Sequence, residues 1–307
     1  MAINRHLEQM EQRYTPSTLP RSPAPCQVRH PKLMAASSTS AHPIRTLREY
    51  ITTLGAAITL CLVDPNTKHV HRLRTTTRRI EAQLALLDLL PGIPDHAKLA
   101  RKTKRSLKKL RRAAGEVRDL DVQMDLIQSI ADEKPTQEIT KDSESLRSNL
   151  KKNRKRSATK LRRLLQKEKL ELTLLLKDLL DALKSAEVLS LSSAQLKNLA
   201  KNWFHTNLPV VSDGEADAPD HLHDIRKVAK LTRYLAENAP KKARATRQLA
   251  QSFEDLQQSG GDWHDWLVLA EIAKKELGSS SPLVTELSNR SHAALAAYKE
   301  HLHRMLP

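Results

Sequence analysis

The chain has 307 residues, with 52 Lys and Arg against 35 Asp and Glu, which gives a net charge of +17 with its 13 histidines neutral. It holds only two Phe, three Trp, four Tyr and seven Gly, too few aromatic and turn residues for a β-sandwich or barrel and too few aromatic platforms for a base-stacking RNA module. No GxGxxG or GxxxxGK[ST] loop occurs, which excludes the common nucleotide-binding α/β folds, and the dominance of Leu, Ala, Lys, Arg, Glu and Gln points to an all-helical basic protein. Cys26 and Cys61 form no CxxC pair, so neither a disulfide framework nor a cysteine zinc site is expected. No uninterrupted apolar run reaches the ~18 residues of a membrane span, and the start lacks the apolar segment of a secretory leader. The expectation is a cytoplasmic protein without a membrane partner.

Residues 1–43 hold six of the 15 prolines and a Ser/Thr/Ala run, and read as a disordered tail. Helical patterning then begins. Helix stop signals divide it into helices near 44–62, 67–90, 95–131 and 138–183 in a first half (about 44–185), and 193–206, 220–238, 241–277 and 282–305 in a second half (about 193–307). A Ser-rich turn at 189–193 and an acidic Gly/Pro loop at 209–219 separate elements. The pair Gly260-Gly261 is expected to interrupt the seventh helix.

The two halves repeat. His71, Arg74 and Arg78 recur as His223, Arg226 and Lys230, in the pattern HxxRxxx[RK] at an offset of 152 residues. Gly115-Glu116-Val117-Arg118-Asp119 recurs as Gly261-Asp262-Trp263-His264-Asp265 at an offset of 146. Both blocks keep their order, which a chance match does not require. On a helix, positions i, i+3 and i+7 share a face, so each first block is a cationic stripe, extended in the second half by Arg233. Helix three adds nine bases and no acid between Lys98 and Arg112, including Lys108, and helix four adds a further run including Arg156. Like charges so close destabilise a helix locally, and a polyanion that neutralises them offsets that cost.

Asp119 and Asp265 each follow a glycine placed for close helix contact, and are expected to be buried or half-buried orienters of Arg or His on a neighbouring helix. No second acid repeats with them, so no catalytic carboxylate pair is assigned. His69/His71 and His221/His223 are two residues apart and point to different faces. There is no HExxH, no Mg²⁺-type acidic cluster and no GxSxG elbow, so no metal, cofactor or catalytic residue is expected.

At VHRLRTTTRRI (70–80), GEVRDLDV (115–122), HDIRKVAKLTRY (223–234) and LQQSGGDWHDW (256–266) the chain resembles a stand-alone CHAD domain, the conserved histidine α-helical domain, over about residues 44–307. The resemblance implies two four-helix bundles related by a pseudo-twofold axis, with basic faces lining a central groove or pore. The ligand it implies is inorganic polyphosphate, and the residues it assigns to that ligand are His71, Arg74, Arg78, Arg79, Lys108, Arg118, His223, Arg226, Lys230, Arg233 and His264, with Arg156 at the margin. Glu81 departs from the family pattern, which usually has a base there, and weakens the first half's edge of the site or points away from it. The reading is non-catalytic polyphosphate binding, with targeting to polyphosphate granules as one expected role.

A linear phosphate polymer has no base edges, so a site for it needs Arg and Lys donors and no stacking platform, which agrees with the composition. The alternative is a basic helical nucleic-acid-binding protein, since charge alone does not select among polyanions. A polyphosphatase is a third reading and lacks a visible acidic metal site.

Overall fold

The computed structural model describes residues 40–209 and 218–305; the tail through residue 39 and most of the acidic loop lie outside the described residues. Among the described residues eight α-helices carry the fold: α1 (Pro43–Val63), α2 (Thr67–Asp88), α3 (Ala97–Glu133), α4 (Gln137–Ala182), α5 (Ser193–Asn207), α6 (Pro219–Glu237), α7 (Arg244–Leu277) and α8 (Pro282–Met305). Their ends follow local chemistry. Pro43 and Pro219 occupy the first helical turn, where a missing N–H costs nothing. Asn66, Thr136 and Ser192 accept backbone N–H bonds as N-caps, the last in a reciprocal box with Gln195. Gly278, at φ +83°, ends α7 in a conformation that side chains resist.

Three details depart from the expectation. Ser40–Ala41 pairs antiparallel with Leu191–Ser192, so a short two-stranded ladder, β1 and β2, ties the approach to α1 against the approach to α5. Its residues 40–43 belong to the fold, with Ala41 and Pro43 buried. Second, α7 runs unbroken through Gly260-Gly261. Third, α1 is long and apolar enough to cross a membrane by length and composition; interspersed Thr, Gly and Arg hide this from a search for an uninterrupted apolar run. Its Leu47, Leu54, Ala57 and Cys61 are fully buried in the protein core.

The helices of the first half enclose one apolar core around Leu47, Leu73, Leu84, Leu107, Leu161 and Leu179. Those of the second half enclose another around Phe204, Ile225, Phe253, Trp263 and Tyr298, with an adjoining cluster at Leu196, Leu235 and Ala250. A further core joins the halves: Ile127 and Ile130 of α3 and Leu146 and Leu150 of α4 pack with Leu269, Ala273, Leu283 and Leu287 of α7 and α8. Lys134 with Glu286 at 2.7 Å and Asn149 with Glu276 at 3.0 Å cross the same junction. The halves are thus fixed together by the tips of their long hairpins, leaving α2, α3 and α6 to face one another nearer the middle.

The glycine pair in α7 makes room for two side chains. A Cβ at Gly260 would stand 2.8 Å from the Tyr298 ring and 3.3 Å from Cδ of Arg226. Tyr298 has no freedom to yield: it is fully buried and its hydroxyl donates to the Leu222 carbonyl at 2.9 Å. Gly260→Ala is therefore expected to lower stability by about 1–3 kcal/mol through overpacking, read as a lowered urea midpoint. An unchanged midpoint would mean that the space beside Gly260 is not needed.

Candidate functional site

Helices α2, α3 and α6 bound a cavity of about 570 Å³. Residues at helical spacing on each contribute: Arg78 and Glu81 from α2; Lys104, Lys108 and Arg111 from α3; His223, Arg226, Lys227, Lys230 and Tyr234 from α6. Basic side chains from both sequence repeats thus face one space. Glu81, the one acid on the described lining, forms an ion pair with Arg111. It lies at the cavity and does not point away from it. Lys227 is also engaged, with Asp224 at 2.7 Å on the same helix, and so is Lys104, with Asp88 of α2 at 2.8 Å.

Beside the cavity the two glycine blocks and the two stripes meet. Arg74 of α2 lies against Gly115 of α3, where a Cβ would come within 2.7 Å of its Nη1. Arg226 of α6 lies correspondingly against Gly260 and Gly261 of α7. In each half a missing side chain lets an arginine cross the neighbouring helix, which gives the repeated glycine a physical reason. Arg118 reaches from one half to the other: its Nη1 is 2.9 Å from Asp265 Oδ2 and 3.3 Å from its neighbour Asp119. Asp119 is 3.9 Å from Arg74. Asp265 is half-buried as expected, whereas the Asp119 side chain is 51% exposed. Asp119 caps the outer side of the arginine pair and does not fill a buried slot. The His223 and His264 rings approach to 5.5 Å between centroids.

This concentration of positive charge is poorly compensated. Burial and the charges of Arg78, Arg226, Arg74 and Arg111 push the Lys230 ammonium down to about 6. Burial, with repulsion from Arg78, brings Arg74 down to about 10 despite Asp119. Arg226 is lowered chiefly by burial, and its Nε is buried without a hydrogen-bond partner. His71, His223 and His264 are all held below the usual imidazole range, by partial burial first and then respectively by Arg118, Lys227 and Arg226. Arg118 is the exception: burial lowers it, but the hydrogen bonds and charges of Asp265 and Asp119 together outweigh burial and raise it.

The expected site residues therefore divide. Arg78, Lys108, His223, Arg226 and Lys230 line the cavity; His71, Arg74, Arg118 and His264 adjoin it through the contacts and fields just described. Arg79 and Arg233 are set apart in another cavity of about 520 Å³, with Tyr50, Glu237, Arg247 and Glu254. Arg233 bonds Glu237 at 2.6 Å and Glu254 at 2.7 Å, and Arg79 stands 3.9 Å from Glu237, so acids already hold them. Arg156 is exposed on α4 and does not line the central cavity. The sequence reading did not single out Lys104, Arg111, Lys227 and Tyr234. The signal for two of them was present: Lys104, Lys108 and Arg111 stand at i, i+4 and i+7 on α3. Among the described residues, no cluster of three or more His, Cys, Asp or Glu is placed to hold a metal ion.

The CHAD domain family matches residues 45–274, and a search of curated protein sequences gives no match. Among solved structures the fold is similar to the CHAD domain from the plant Ricinus communis, with TM-score 0.61 and 18% identity over 87% of this chain and 93% of that one. It is also similar to PptA from Streptomyces chartreusis, with TM-score 0.59 and 15% identity over 85% of this chain and 98% of that one. At such identities the likeness carries the fold alone, whereas the sequence match spans most of the chain, including both repeats and the cavity-lining helices: the chain belongs to the CHAD domain family.

Proposed function

We propose that this protein binds inorganic polyphosphate in the cavity between α2, α3 and α6, without chemically altering it. The observation that carries the reading is the lining: eight basic side chains drawn from both halves, against one acid that is already paired. Arg226 brings an unpartnered buried Nε to the same place. Lys104, Arg111 and Lys227 are paired with Asp88, Glu81 and Asp224, whereas Arg78, Arg226 and Lys230 have no carboxylate partner among the described residues; bases held in this way by packing are prepared for anionic oxygens, and guanidinium groups bind phosphate with two parallel hydrogen bonds. The family resemblance selects polyphosphate among polyanions. Size speaks against a duplex inside the cavity: a 570 Å³ space is about 10 Å across if spherical, and a duplex is wider than its own ~12 Å major groove. Single-stranded nucleic acid would find little to stack on, since the rings on the described lining are those of Tyr234, itself buried, and His223. Such a protein would sit on polyphosphate deposits in the cytoplasm.

A competition experiment tests this reading. Labelled long-chain polyphosphate bound to the protein is expected to be displaced by unlabelled polymer and to stay bound in excess duplex DNA. The recovered polymer should keep its length after incubation with Mg²⁺ or Mn²⁺. Displacement by DNA would favour the nucleic-acid reading, and phosphate release would favour an enzyme.

A further inference from the structure

Lys108 faces two spaces. It lines the central cavity, and it also lines a groove of about 370 Å³ on the α4 side of α3, together with Arg105, Lys109, Arg112 and Glu116. These groove residues stand at i, i+3, i+4, i+7 and i+11, a single face of α3, turned about 100° from the face of Lys104 and Arg111. Arg105 and Arg112 are exposed and about 10 Å apart along the helix axis. Lys109 is anchored by bonds of 3.2 and 3.3 Å to Glu168, whose side chain is 8% exposed, so its ammonium is held at the groove edge. Four cations against Glu116 and the anchoring Glu168 leave the groove with two positive charges in excess. Nothing in the core packing requires Arg105 or Arg112, because the buried face of α3 is built from Leu107, Leu110 and Ala114.

We propose that this groove is a second subsite that reads ligand length: a linear polyanion too long for the cavity continues over Lys108 into the groove between Arg105 and Arg112. The inference rests on the cavity being the polyphosphate site. A compact anion such as tripolyphosphate is contained by the cavity, whereas a long polymer engages both spaces at once. The second contact is then intramolecular and adds affinity through proximity.

The test is the double variant Arg105→Ala/Arg112→Ala, titrated in parallel with tripolyphosphate and with long-chain polyphosphate. Both positions are solvent-exposed, and an unchanged helical circular dichroism signal checks the fold. The expected result is a loss of about tenfold in affinity for the long polymer, a shallower dependence of that affinity on salt, and unchanged tripolyphosphate affinity. Unchanged long-polymer affinity, or an equal loss for both ligands, would overturn the length-reading groove while leaving the cavity assignment intact. Failure of the unsubstituted protein to bind either ligand would overturn the cavity assignment, and the groove proposal with it.

Discussion

Replacing Arg74 and Arg226 together by alanine is expected to weaken long-chain polyphosphate binding by more than about a hundredfold. Each is a guanidinium held in place by packing against a glycine of the next helix, at Gly115 and at Gly260-Gly261. A hydrogen bond to a charged group contributes about 1.5–3 kcal/mol, and two lost together exceed the ~2.7 kcal/mol that corresponds to a hundredfold change. The fold should persist. Both arginines suffer burial and repulsion from Arg78, with only partial relief from Asp265 and, for Arg74, Asp119, so removing their charge relieves an unfavourable burial that the free protein carries. Alanine leaves empty space beside the glycines, so the pair Arg74→Met/Arg226→Met serves as a companion that keeps most of the side-chain volume. Both double variants should show native helical dichroism and the same loss of binding. Retained affinity in either would remove these arginines from the site.

Binding is expected to tighten as pH falls, and Lys230 is the main reason. The groups that act on it most strongly come from three elements and are all cationic: Arg226 from its own α6, Arg74 and Arg78 from α2, and Arg111 from α3. The other titratable groups on the cavity are Glu81 of α2, Lys104 and Lys108 of α3, and His223, Lys227 and Tyr234 of α6; His264 and Asp265 of α7 adjoin it. With Lys230 brought down to about 6, the free protein carries it largely neutral at pH 7 to 8. A bound polyanion favours the ammonium and raises its pKa, so the complex holds one proton more than the free protein.

The dissociation constant should therefore rise with pH above about 6, by up to about tenfold per unit, while the Lys230 contribution levels off below that value. His71, His223 and His264, all held below their usual range, extend the dependence at the acid end only. Lys230→Met should flatten the profile between pH 7 and pH 8 (values chosen above the ~6 of Lys230). A flat profile for the unsubstituted protein would contradict the proton uptake. Folding of the free protein has the opposite sign. The unfolded chain binds the Lys230 proton up to its ordinary value of 10.5 and the folded chain only below about 6. This group's contribution to stability thus grows as pH rises through that interval.

Much of the fold was legible because helix ends are written in local chemistry. Asn66, Thr136, Ser192 and the prolines at 43, 219 and 282 mark starts that the structure places within one residue of the expected positions. Where local chemistry was the wrong guide, a tertiary contact had won. Gly260-Gly261 looks like a break by propensity, yet it keeps α7 helical because Tyr298 and Arg226 need its surface. The ladder between β1 and β2 depends on a pairing across 150 residues of chain, which no local pattern announces.

The site was legible to the resolution of a stripe. Repetition located Arg74, Arg78, Arg226 and Lys230, but a row of bases is wider than one cavity. Arg79 is about 100° round α2 from Arg78, and Arg233 is turned a comparable way from the cavity-facing side of α6. Each therefore meets Glu237 and not the cavity. Which acid waits on the next helix is a property of packing, and so is the ion pair that occupies Glu81 with Arg111.

The most direct measurement is a calorimetric titration of the purified protein with long-chain polyphosphate at about 0.15 M salt, with duplex DNA and ATP as comparators. The account predicts submicromolar binding of polyphosphate and much weaker binding of both comparators. Equal affinity for DNA, or no binding of polyphosphate, would contradict it.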